Sequence, residues 1–147
     1  MKYITIHCSA TKEGVSVDAD TIKRWHKKRG WKDIGYHYVI GLDGQIEIGR
    51  PLNQTGAHVA GHNKDNIGIC YVGGLGKDGE PKDTRTDLQI ESLHDLIEAL
   101  CIVFDIKEIK GHRDWSPDTD GDGEVEQHEW LKACPSFDAE SEYGCYV

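Results

Sequence analysis

The order of its apolar segments constrains what this chain can fold into more than any other feature. Short apolar runs alternate with stretches of helical period, giving strand, helix, hairpin, strand, helix, strand, with no internal repeat. Residues 2–8 alternate apolar with polar and are rich in β-branched side chains, so they read as a buried strand. Asp18 or Asp20 caps a helix that carries Ile22, Trp25 and Arg29 and stops at Gly30. Asp43-Gly44, set between apolar runs at 36–40 and 45–48, signals a hairpin. Residues 53–66 are rich in Gly, Asn and His and read as a loop. The run 67–72 is another strand, ended by Gly73-Gly74, and 75–85 is a polar surface loop. Thr86 with Gln89 makes a capping box, and Leu88, Leu93, Leu96, Ile97, Leu100 and Phe104 recur at helical spacing. A short strand at 106–110 leads into Gly111-His112. The expectation is an α/β (α+β) fold with a central mixed sheet flanked by helices. It forms one domain over 1–147 and carries an acidic insert at 115–130.

Charge and cysteine usage narrow the function. A net charge of −9 excludes nucleic acid as the partner, since such affinity comes largely from cations neutralising phosphates. A shaped groove rather than a basic patch must then hold any substrate. No apolar run approaches the roughly 18 residues that span a bilayer, so membrane insertion is not expected. Residues 1–7 lack the apolar core of a signal peptide, so a cytoplasmic location is expected. Five cysteines, an odd count, argue for free thiols over a disulfide framework. Cys70 and Cys101 read as core residues, and Cys8 should face away from His7 across the strand. His26, His62, His94 and His128 read as surface residues, and His37 as structural.

The chemistry concentrates at strand ends. His7 closes the first strand, His112 closes the last, and Cys134 lies in Lys132-Ala133-Cys134-Pro135. Two imidazoles and one thiolate give zinc three protein ligands and leave a fourth position for water, the arrangement of a catalytic site. These ligands are far apart in sequence, so spacing alone does not single them out.

Several motifs in order do. Ile6-His7-Cys8-Ser9-Ala10-Thr11, Gly35-Tyr36-His37-Tyr38, Asp65-Asn66-Ile67-Gly68-Ile69, Gly111-His112-Arg113-Asp114 and Lys132-Ala133-Cys134-Pro135 resemble the type 2 N-acetylmuramoyl-L-alanine amidases. That family includes small phage lysozyme-amidases and shares its fold with peptidoglycan recognition proteins. The resemblance runs over about residues 2–138, interrupted after His112. It implies His7, His112 and Cys134 as zinc ligands, Tyr36 and Lys132 as catalytic residues, and His58 as a histidine of the substrate groove. The implied activity is hydrolysis of the amide between N-acetylmuramic acid and L-alanine, in peptidoglycan or its muropeptide fragments, by a monomer. A phage or prophage endolysin fits this, as does a cytoplasmic wall-recycling amidase. Three rivals stand beside these readings: a non-catalytic peptidoglycan-binding module, a peptidase with Cys8 as nucleophile, and a calcium-sensing protein.

One segment lies outside that pattern. Residues 118–129 carry acidic side chains at the spacing of an EF-hand loop: Asp118, Asp120, Asp122, Glu124 and Glu129, with Gly123 at the sixth position. The expectation is a calcium site that stiffens the connection from His112 to Lys132. Trp115-Ser116-Pro117 leaves no room for the usual entering helix.

Overall fold

A computed structural model describes residues 1–147 and is organised by a five-stranded sheet. Its order is β4-β3-β5-β1-β7, with β1 Tyr3–Cys8, β3 Tyr38–Ile40, β4 Ile46–Ile48, β5 Asn66–Tyr71 and β7 Glu108–Gly111. β1 lies parallel to both β5 and β7, and β3 parallel to β5; only the β3–β4 hairpin is antiparallel. All six residues of β5 are buried, as expected of a parallel strand covered on both faces. The mixed sheet with flanking helices agrees with the expected fold class.

The two faces pack against different helices. Ile4, Ile6, Ile67 and Ile69 meet Leu93, Ile97 and Leu100 of α2 (Asp87–Val103) and Tyr143 of α3 (Ala139–Tyr143). On the other face Val39, Cys70 and Val72 meet Ala19 and Ile22 of α1 (Ala19–Lys28). Helix α2 begins with the expected capping box: Thr86 Oγ1 accepts from the Gln89 N–H, and Gln89 Oε1 accepts from the Thr86 N–H. The Gln89 amide also donates to the carbonyls of Ile40 and Val72, tying the helix start to the sheet.

Two readings of helix faces need correction. The buried stripe of α1 runs through Ala19, Ile22 and His26, while Trp25 is 38% exposed. His26 is therefore an interior residue, four positions after Ile22 on one face, and its Nδ1 accepts from the Gly35 N–H at 2.8 Å. Leu88 is 52% exposed because the buried stripe of α2 runs through Gln89, Leu93, Ile97 and Leu100, and Leu88 lies off it. The two-residue ladder of β2 (Thr11–Lys12) with β6 (Gly74–Leu75), and α3, are too short to leave a periodic signal.

Register places the site. Ile6 of β1 pairs with Gly111 of β7, so the next residues, His7 and His112, emerge side by side at the carboxyl ends of parallel strands. That edge is where open α/β sheets bind ligands.

Candidate metal centre

Each of the three sequence-predicted donors is fixed by backbone. His7 is buried within β1, opposite Cys70 of β5. His112 opens a single turn of 3-10 helix, His112–Trp115, whose start is held by the Asp114 carboxylate accepting from the Gly111 N–H at 2.7 Å. Gly111 has no Cβ for a reason: one there would stand 2.6 Å from Cδ of Pro135. Cys134 is held by the Arg113 N–H donating to its carbonyl at 2.8 Å, and the Tyr71 hydroxyl donates to the carbonyl of Pro135 at 2.6 Å.

The donor atoms of His7, His112 and Cys134 all lie within 4.8 Å of one another. Cys134 Sγ is 3.9 Å from His7 Nδ1, and the two imidazole rings stand 4.7 Å apart. A nitrogen and a sulfur sharing one tetrahedral zinc would be about 3.6 Å apart, so the set fits such an ion with little adjustment. Cys134 Sγ also accepts the Cys8 backbone N–H at 3.3 Å, a contact suited to a thiolate.

The electrostatics of the two imidazoles agree with ligand chemistry. Burial, reinforced by His58, His112 and Lys132, holds the His7 imidazole well below its ordinary pKa. Burial and the Lys132 charge lower His112 to about 4. Both rings are thus neutral at pH 7, with lone pairs free for a cation. The thiols shift in opposite directions: hydrogen bonding with Cys134 draws Cys8 down to about 7, while the same contact, with burial, raises Cys134, against the thiolate form a metal ligand takes.

A cleft runs across this centre in two arms that share Trp31, Ala57, His58, His112 and Lys132. One arm, of about 440 Å³, continues along Val59, Asn63, Trp115 and Leu131. The other, of about 180 Å³, continues along Trp25, Arg29, Tyr36 and Cys134. Lys132 is exposed, whereas the Tyr36 ring is half-buried with its centroid 5.0 Å from that of His7. Burial pushes the Tyr36 phenol well above its usual pKa, so it keeps its proton. His58, at 7% exposure, touches the cleft and also lies behind His7, its Nδ1 2.9 Å from His7 Nε2. Sequence reasoning missed Trp31 and Trp115 as cleft walls; their only signal is position, one after Gly30 and one three residues beyond His112.

The acidic insert is organised separately. Asp118, Asp120 and Glu129 bring oxygens within 4.8 Å of one another, while Asp122 and Glu124 stand outside that group. Glu129 is buried and accepts from the N–H groups of Thr119, Asp120 and Glu126 and from the Thr119 hydroxyl. Asp118 accepts from the Gly121 and Gly123 N–H groups. These carboxylates close the loop through its own backbone.

A part-buried cluster of two imidazoles and a thiol at the strand ends of an α/β sheet, opening on a two-armed cleft, defines an α/β protein with a site able to hold one metal ion. Residues 1–129 match the family described as N-acetylmuramoyl-L-alanine amidase. The endolysin of Klebsiella phage KP32 is 38% identical over 135 residues, covering 92% of this chain and 80% of that protein. The N-acetylmuramoyl-L-alanine amidase LysC of Clostridium intestinale URNW superposes with a TM-score of 0.73 at 30% identity, over 96% of this chain and 80% of its own. Bumblebee PGRP-SA shares the fold at TM-score 0.73 and 23% identity, over 99% of this chain and 81% of its own. The chain belongs to the N-acetylmuramoyl-L-alanine amidase family, the type 2 amidases, and hydrolyses the amide that joins N-acetylmuramic acid to L-alanine. The family match ends before Lys132 and Cys134, which join the site through the fold.

Proposed function

We propose that the chain is a zinc-dependent amidase of endolysin type acting on bacterial peptidoglycan, with His7, His112 and Cys134 as the metal ligands. The observation that carries this reading is the meeting of three donors, from β1, from the turn after β7 and from residue 134, beside a cleft. When bound, zinc supplies a Lewis acid and lowers the pKa of water toward neutrality. The chain's own groups do the rest. Lys132 lies on the wall common to both arms of the cleft, where its ammonium stabilises negative charge developing on the amide oxygen. Tyr36, protonated at neutral pH, orients water or passes a proton toward the departing amine of L-alanine. The half-buried ring keeps that phenol out of bulk solvent.

The two arms give a chain-like substrate room on either side of the scissile bond, as a sugar joined to a peptide requires. With a net charge of −9, recognition rests on these walls rather than on attraction to an anionic wall polymer. Similarity to a phage endolysin over most of both chains supports a role in wall lysis. The acidic loop, closed on its own backbone, enters no step of this reading.

Purified protein incubated with sacculi, with and without a zinc chelator, tests the proposal. New L-alanine amino termini should appear, vanish with chelator and return with added zinc. New reducing sugar ends, or cleavage indifferent to chelation, would contradict it.

A further inference from the structure

The proton positions around His7 follow from a chain of hydrogen bonds that starts at a main-chain carbonyl. His58 Nε2 lies 3.1 Å from the oxygen of Asn66, which has no hydrogen to give, so Nε2 must be the donor. The His58 ring is buried and no carboxylate bonds to it, so it is neutral, because an unpaired charge is too costly there. A neutral ring with hydrogen on Nε2 presents a lone pair at Nδ1. His7 Nε2, 2.9 Å from that atom, must therefore donate to it. The lone pair of His7 is left on Nδ1, the atom that faces Cys134 Sγ at 3.9 Å.

We propose that His58 is a positioning residue for the metal centre, fixing His7 in the tautomer and ring orientation that offer Nδ1 to the ion. The proposal rests on the zinc reading above and extends it, since the sequence resemblance assigns His58 to the substrate groove. The surroundings immobilise this relay. Asn63 Oδ1 accepts from the N–H groups of both His58 and Val59, at 2.8 Å each. A Cβ on Gly68 would come within 2.7 Å of the His58 ring, so glycine there makes the space the ring occupies. Asn66 is itself anchored: its Oδ1 accepts from the Thr5 hydroxyl at 2.9 Å, and its Nδ2 donates to the carbonyl of His62 at 2.8 Å. Thr5 in turn accepts from the Trp115 indole N–H at 2.9 Å, so the relay reaches the cleft wall. A ligand held through its second nitrogen in this way binds metal more tightly, and loss of such a partner lowers affinity about 10- to 100-fold.

The test compares wild type with His58→Ala and His58→Asn by two measurements. Zinc affinity is measured by competition with a chromophoric chelator, and the His7 tautomer is read in metal-free protein by long-range proton–nitrogen NMR. We expect hydrogen on Nε2 of His7 in wild type and a mixture of tautomers in His58→Ala. Zinc affinity should fall about 10- to 100-fold in His58→Ala and recover toward wild type in His58→Asn, whose side-chain oxygen replaces the Nδ1 acceptor. Hydrogen on Nδ1 of His7 in wild type, or unchanged affinity in His58→Ala, would overturn the proposal. Wild-type protein that takes up no zinc would sink the zinc reading instead, while the tautomer measurement still decides the relay.

Discussion

Lys132 and Tyr36 sit at the same centre with opposite surroundings, and that contrast separates chemistry from folding. Lys132 is exposed and supports no core contact, so Lys132→Ala should remove charge stabilisation alone. Its kcat on a muramoyl-peptide should fall roughly 100- to 1000-fold, the scale seen when one oxyanion donor is lost. Its urea midpoint should match wild type; a fall in stability with unchanged kcat would place the lysine outside the chemistry. Tyr36→Phe keeps the ring against His7 and removes only the hydroxyl, so its loss should also appear in kcat. Motifs in order were enough to single out the three side chains whose donor atoms meet. They could not separate the roles of neighbouring histidines, because a histidine's role depends on the partner of each ring nitrogen. His26 and His58 are both buried and differ chiefly in what their Nδ1 atoms meet: a backbone N–H for one, a candidate ligand for the other.

At the scale of elements, α2 shows how a sequence signal extends beyond the element that produces it. Thr86 and Gln89 are visible as a capping box, yet the Gln89 amide also satisfies the carbonyls of Ile40 and Val72 in the interior. Gln89→Ala should therefore cost about 2–3 kcal/mol, since it orphans buried acceptors as well as a cap. Thr86→Ala should cost about 1 kcal/mol. Urea denaturation gives the order directly, and a larger loss for Thr86→Ala would mean the bonds to the sheet carry no weight. Long elements were legible because period and caps agreed: β1, β5 and α2 fall within a residue or two of their expected positions. The stripe of α1 was misread because Trp25 is the more apolar residue by type, while the packing geometry chose His26. In the acidic insert the spacing of an EF-hand is present, but the loop lacks an entering helix and its carboxylates serve backbone N–H groups.

The whole molecule assembles its site from three distant places, and only the sheet makes them neighbours. Parallel pairing of β1 with β7 sets His7 beside His112, and the Arg113 N–H holds the Cys134 carbonyl so that the thiol closes the group. Sequence could name these residues and could not give their separation, which depends on the register of strands about 100 residues apart. Without that register the three candidate donors would not meet. X-ray absorption at the zinc edge of the purified, zinc-loaded protein reads the centre directly. One zinc per chain, with one sulfur at about 2.3 Å and the remaining ligands nitrogen or oxygen at about 2.0–2.1 Å, is the predicted result. A spectrum without sulfur, or a chain that retains no zinc, would contradict the account.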